Sequence, residues 1–255
     1  MKIIAISENG YVKSNNEDTY LINDSVFIDS NTELSENASV FVVFDGIGGN
    51  SSGEVAAKVA SEYFASKYKD ILLSNEDSLK DIIEQANSEV LKYATTDTHN
   101  NGMGTTLAGM ILLEDRWIVF NVGDSRVYRL RNGLFKYFSV DDSYFNYLKS
   151  MGLVKEEDSE KYANNHKITA YLGNPHFDKE QIHVFSIDFG VRAGDTFLLC
   201  TDGVSDMVDD DTMRSILESG HSIRHLSEQI RQHILKAGAM DNFTYILVQM
   251  EDSHD

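Results

Sequence analysis

Residues 105–138, TTLAGMILLEDRWIVFNVGDSRVYRLRNGLFKYF, decide the fold class. Three apolar, β-prone runs at 105–113, 117–122 and 126–131 follow one another across short polar breaks, with no helix-length segment between them. A fourth, 134–138, returns across Asn132-Gly133, a dipeptide suited to a two-residue hairpin turn. Parallel neighbours need crossovers of a dozen or more residues, so strands this close in sequence pair antiparallel.

Further strands are expected outward from this block, at 2–6, 19–29, 39–44, 182–187, 196–200 and 243–250, with a hairpin turn at Asn23-Asp24. Residues 30–38 read as a polar loop. A first helix carries Val55, Val59, Tyr63 or Phe64, and Ile71 on one stripe, and a second carries Leu79, Ile82, Ile83, Ala86 and Val90. Two more are expected at 209–219 and 222–236. Strands in adjacent runs and helices in consecutive pairs predict an α+β protein whose antiparallel sheets carry helices on their outer faces, not a doubly wound parallel sheet. The polar segment 141–168 reads as a small insertion over the core.

The composition is 42% hydrophobic with 10% aromatic residues, enough for a sizeable core. Formal net charge is −19, and no basic stripe is visible, which argues against nucleic acid and against anionic lipid. Cys200 is the only cysteine, so no intramolecular disulfide can form, and it sits in an apolar run as a small buried hydrophobe. There is no signal-peptide pattern and no run of about 20 apolar residues. With one proline in the chain, no proline-rich linker is present. These features predict a single domain over 1–255, monomeric and cytoplasmic.

The chemistry is concentrated in five acidic stretches: Asn16-Glu17-Asp18, FVVFDGIGG at 41–49, VGDSR at 122–126, FLLCTDG at 197–203 and Asp241-Asn242. In two of them an apolar run delivers Asp45 or Asp202 straight into a glycine turn. Taken singly, an Asp-Gly pair is a common turn, Asn16-Glu17-Asp18 a cap, and Asp124-Ser125-Arg126 a turn closed by an ion pair. Together, acids at the ends of buried strands can converge, and their repulsion is costly unless a cation lies between them. That pattern points to an oxygen-rich divalent-metal site and metal-assisted hydrolysis.

The motifs also carry a resemblance. SNNEDTY at 14–20, VVFDGIGGNSSGEVAA at 42–57, GMGTTLAG at 102–109, VGDSRVYRLRNG at 122–133, LLCTDGVSDMV at 198–208 and DNFTYILV at 241–248 resemble, in order, the metal-dependent protein phosphatases of the type 2C (PPM) class, bacterial branch. ITAYLGN at 168–174 is similar to a further element of that family. The resemblance implies a four-layer αββα sandwich, two stacked antiparallel sheets flanked by helices, with 141–168 as a flap beside the active site. It implies a phosphoserine/phosphothreonine phosphatase that uses Mn²⁺ or Mg²⁺, two ions with a third possible, and a hydroxide bridging two of them. Asp45 would bridge two ions, with the Gly46 carbonyl, Asp202 and Asp241 as further ligands. Glu17 would act through water, Asp18 would support the cluster, and Asp124 would serve a third ion. Phosphorylated proteins are the implied substrates, with a cognate serine/threonine kinase as a further implied partner.

Two positions depart from the family. Lys13 stands where the family usually has an arginine that grips substrate phosphate; it keeps the charge but not the bidentate fork. Ile47 stands where some members have a histidine, so the leaving-group proton donor is unassigned, and His166 in the flap reads as a surface residue. The alternative is a catalytically weak or inactive regulatory module, for which Lys13 is the one visible hint. A calcium-binding structural protein lacks its Asp-x-Asp-x-Asp-Gly loop here, and Cys200 lacks the Cys-x5-Arg loop of cysteine-based phosphatases.

Overall fold

Within the apolar run Thr196–Cys200, Phe197 and Leu199 point to one side and Leu198 and Cys200 to the other, and all four are buried. A strand buried on both faces must lie inside a stack of layers. A computed structural model of the chain describes residues 1–35, 37–48, 52–96, 100, 102–113, 116–158, 161, 167–187 and 190–251, and it has that architecture.

The first sheet holds β1 (Lys2–Glu8), β4 (Thr32–Leu34), β10 (Arg126–Arg131), β11 (Leu134–Tyr137), β13 (Thr196–Cys200) and β14 (Phe243–Gln249), in the order β11-β10-β13-β14-β1-β4. The second holds β2 (Thr19–Ile22), β3 (Ser25–Phe27), β5 (Val40–Phe44), β8 (Leu107–Leu113), β9 (Arg116–Val122) and β12 (His183–Ser186), in the order β12-β9-β8-β5-β2-β3. A short ribbon, β6 (Gly46–Ile47) with β7 (Gly104–Thr105), extends beyond β5. Neighbouring strands are antiparallel; within the 105–138 block β8 pairs with β9 and β10 with β11, but β9 and β10 do not pair, because the chain crosses from the second sheet to the first at 123–125.

Three apolar layers follow from the alternation. Between the sheets, Ile3, Phe197, Leu199 and Ile246 face Phe41, Val43, Met110 and Val119. Outside the second sheet, Phe44 and Phe120 pack on α1 (Ser52–Ser66) through Phe64, with ring centroids 5.7 and 6.2 Å apart. Outside the first sheet, Leu198, Tyr245 and Leu247 meet α6 (Asp210–Glu218) and α7 (Ile223–Ala237). Fully burying one such side chain stabilises by about 1.5–3 kcal/mol, so both outer helical layers are held by their apolar stripes.

Several elements differ from the reading of the sequence. The first helix ends at Ser66, and Ile71 belongs to a separate short helix, α2 (Tyr68–Leu72). The fully buried stripe of α1 is Ala56, Ala57, Ala60 and Phe64, while Val55, Val59 and Tyr63 are only partly buried. Small alanines allow the helix to lie close on the sheet, which a hydrophobicity stripe does not capture. Residues 32–34, placed in a polar loop, form edge strand β4 on β1, because a three-residue edge is held by backbone hydrogen bonds rather than by apolar side chains. The second helix is α3 (Glu76–Ala94), capped by Asn75. The insertion contains α4 (Tyr144–Ser150); residues 159–160 and 162–166, His166 among them, lie outside the described residues.

Candidate functional site

Antiparallel pairing gathers the acids. Thr19 opposes Phe44, so the start of β2 and the end of β5 share one end of their sheet. Cys200 opposes both Arg126 and Tyr245, so the end of β13 and the starts of β10 and β14 share one end of theirs. Glu17-Asp18, Asp45, Asp124, Asp202 and Asp241 flank those strand ends. Hydrogen bonds cross from sheet to sheet there. Thr201 Oγ1 donates to Asp18 Oδ2 (2.9 Å), and the Glu17 N–H donates to Asn242 Oδ1 (2.9 Å). The Thr106 and Ser125 hydroxyls lie 2.7 Å apart.

The result is a cleft of about 190 Å³ lined by Lys13, Glu17, Asp45, Gly46, Ile47, Gly48, Thr106, Asp124, Ile168, Asp202 and Asp241. Asp18 is only 1% exposed and stands behind it. The cleft therefore brings together every sequence-derived site residue except Asp18, which supports from below. Ile168 brings the returning end of the insertion to the rim, where Ser143 pairs with it.

Neither Asp-Gly is a turn, contrary to expectation. After Asp45 the chain continues as β6, and Asp202 opens a short helix, α5 (Asp202–Ser205). The glycines serve close backbone approach instead. A Cβ on Gly46 would sit 2.3 Å from the Gly53 carbonyl oxygen and 2.4 Å from that of Glu17; one on Gly203 would sit 1.9 Å from the Asn242 carbonyl oxygen. Only glycine lets three separate segments close around the acids. The Asp45 carbonyl is fixed by Thr106 N–H (2.9 Å) and Thr105 Oγ1 (2.8 Å).

The electrostatics are those of an acid cluster. Burial, then the charges of Asp202 and Asp18, push Asp45 well above the ordinary carboxylate range, and the Asp45 and Asp202 side chains lie within hydrogen-bonding reach. Burial, then Asp202 and Asp141, does the same to Asp124. Asp18 is pushed up to about 8, chiefly by burial, although hydrogen bonds from Thr201 and Thr244 oppose the shift. Burial also raises Glu17, against the pull of Lys13. Burial works against charge on Lys13, but the hydrogen bond and charge of Asp241, with Glu17 and Asp45, outweigh it and raise its pKa. Lys13 Nζ stands 2.7 Å from Asp241 Oδ1. Cys200 is buried outside the cleft, its thiol pushed up to about 12 by burial, and takes no part.

The donor set suits a hard divalent cation: the cleft wall carries carboxylates and, among the described residues, no thiolate or imidazole. Among the described residues no three acidic, thiol or imidazole groups close into a ready-made cage. Asp45 leans on Asp202, and Asp241 is held by Lys13. The raised carboxyls show the cost of placing these acids together, a cost that bound cations would relieve, and the residues fit an oxygen-ligated ion pair.

Sequence reasoning passed over Asn242 as more than a neighbour of Asp241. Its Nδ2 donates to the carbonyls of Asn9 (3.0 Å) and Asn15 (2.9 Å) while its Oδ1 accepts from Glu17, so it latches the Lys13 loop to β14. Thr106 and Thr201 were likewise unmarked, since a threonine in a strand looks like any other β-former.

The class of protein so defined is an αββα sandwich with an acid-lined cleft at one shared end of its two antiparallel sheets. The chain belongs to the protein phosphatase 2C family, whose model matches residues 16–237. It is 32% identical over 253 residues to the serine/threonine phosphatase stp of Listeria monocytogenes, covering 96% of this chain and 94% of that protein. It is 28% identical to the serine/threonine protein phosphatase PstP of Mycobacterium tuberculosis, covering 99% of this chain and 45% of that protein. The crystal structure of the M. tuberculosis phosphatase PstP/Ppp superposes with a TM-score of 0.80 at 25% identity, covering 99% of this chain and all of that one. The catalytic domain of PstP in complex with two manganese ions superposes with a TM-score of 0.77 at 26% identity, again over 99% of this chain. No helix among the described residues is long and apolar enough to cross a membrane.

Proposed function

We propose that this chain, a protein-serine/threonine phosphatase by family, hydrolyses phosphoserine and phosphothreonine monoesters on phosphorylated proteins with two divalent ions, Mn²⁺ or Mg²⁺. The observation that carries the reading is the convergence of five carboxylates from both sheets in one cleft around a single lysine. When bound, two such ions supply a shared water, acidified to hydroxide, as the nucleophile and neutralise the phosphoryl oxygens.

The chain's own residues have distinct tasks in this reading. Asp45, which feels the charges of both Asp202 and Asp18, would hold both ions, and the Gly46 carbonyl would add a ligand. Asp202 and Asp241 would be further ligands of one ion, Glu17 would act on the other through water, and Asp124 would serve a third. Asp18, hydrogen-bonded by Thr201 from below, holds the cluster in place. Lys13 receives the substrate phosphate. Ile47 has no ionisable proton, so no side chain at that position serves as the leaving-group acid, and the proton donor stays unassigned. We further infer a monomeric, cytoplasmic enzyme that reverses a serine/threonine kinase.

The test is hydrolysis of p-nitrophenyl phosphate and of a phosphothreonine peptide by metal-stripped protein, with and without Mn²⁺ or Mg²⁺. Turnover should require metal and fall at least about 10²–10³-fold in Asp45→Ala and Asp202→Ala. Metal binding with no turnover of either substrate would favour the regulatory-module reading instead.

A further inference from the structure

The cleft carries a cation of its own. Among the described residues that line it, Lys13 is the one basic side chain, set against Glu17, Asp45, Asp124, Asp202 and Asp241. Its Nζ is 2.7 Å from Asp241 Oδ1, the oxygen that also accepts the Asn242 N–H at 2.7 Å. The placement is built in. Asn9 Nδ2 donates to the Lys13 carbonyl (2.7 Å), Tyr11 N–H donates to the Ala239 carbonyl (2.9 Å), and Asn242 ties Asn9 and Asn15 to the start of β14. The loop that carries the ammonium and the segment that carries Asp241 are one hydrogen-bonded unit.

We propose that Lys13 is a tethered counter-ion that competes with a divalent ion for Asp241 and is released toward the substrate phosphate when the ion takes that carboxylate. The inference rests on the two-metal reading above. An ammonium and a divalent ion on one carboxylate repel each other, so each weakens the other's hold. A lysine suits such an exchange: its charge is compact, its four-carbon stem is flexible, and three donors let it re-aim without loss of geometry. A phosphate dianion bound nearby gives the displaced ammonium a new partner. By linkage, phosphate then tightens metal binding and metal tightens phosphate binding, through Lys13.

The experiment is calorimetric titration of Mn²⁺ into the metal-stripped full chain, wild type against Lys13→Met and Lys13→Arg, with and without inorganic phosphate. Lys13→Met should bind Mn²⁺ about two- to fivefold tighter than wild type without phosphate, the scale of releasing a partly exposed ion pair, and phosphate should tighten its Mn²⁺ binding less than in wild type. Lys13→Arg, which keeps the charge, should retain that tightening. A second readout uses wild type alone: the acylation rate of Lys13 by an amine-reactive ester, followed by peptide mass spectrometry. It should rise with Mn²⁺ and fall again when phosphate is added. Mn²⁺ binding that Lys13→Met leaves equal or weaker, or Lys13 acylation indifferent to Mn²⁺, overturns the counter-ion role while the metal reading stands. A wild type that binds no Mn²⁺ overturns both.

Discussion

Asp195 precedes β13 and Asp202 follows it by two residues, so one five-residue strand separates two acids with opposite surroundings. Asp195 is 1% exposed and fully compensated: Arg131 grips both its oxygens at 2.6 and 2.5 Å, and the Arg192 N–H adds a bond at 2.9 Å. Asp202, at the cleft end, faces Asp45, Asp124 and Asp18. The first acid is satisfied by the chain itself and closes the structure. The second belongs to a set that the chain leaves short of positive charge, with Lys13 alone among five carboxylates on the described cleft wall. An acid group that is complete needs nothing more; one that is short of cations is a demand on the solvent.

The comparison would be broken most directly at the compensated end. Asp195→Asn leaves the Arg131 guanidinium, with a side chain 13% exposed, without its carboxylate. Unfolding in urea should show a loss of about 3–5 kcal/mol, with turnover per folded molecule unchanged. Next is the pH dependence of the metal-stripped protein. Asp18 is pushed up to about 8, so the folded state binds its proton more tightly than the unfolded chain does. That contribution is complete below the ordinary carboxylate pKa of about 4 and is lost as pH rises through about 8, by up to about 1.4 kcal/mol per pH unit. The melting temperature should fall between pH 5 and pH 8, Asp18→Asn should flatten the fall, and Mn²⁺ should restore more at pH 8 than at pH 5. The smallest effect has the opposite sign to the first. Asp45→Asn removes one of the mutually repelling acids and should stabilise the metal-stripped protein by about 1 kcal/mol while abolishing turnover. A loss of stability as large as that of Asp195→Asn would show that the two ends are not different in kind.

Much of this was legible in the chain. The close spacing of β8 with β9 and of β10 with β11 matches their antiparallel pairing, and Asn132-Gly133 makes the expected turn, with φ 48° and 77°; that β9 and β10 part into different sheets was not legible. Asp45 and Asp202 were marked by their position after apolar runs, and the other site acids by the family resemblance. What was missed has one cause. β4 and the role of Gly203 depend on backbone groups that meet from separate segments, and side-chain pattern does not report those contacts. Asn242 was similarly hidden, because its partners Asn9, Asn15 and Glu17 lie more than 200 residues away.

By itself, then, the sequence determined the longer strands and helices, the antiparallel class and the acids that had to be accommodated, since these follow from local periodicity and residue chemistry. Only the tertiary structure decided that Asp18 stands behind the cleft, that the Asp-Gly pairs are close approaches rather than turns, and that Lys13 is paired with Asp241. Each of those outcomes is set by distances between segments far apart in the chain, which packing of the two sheets fixes and no local pattern can.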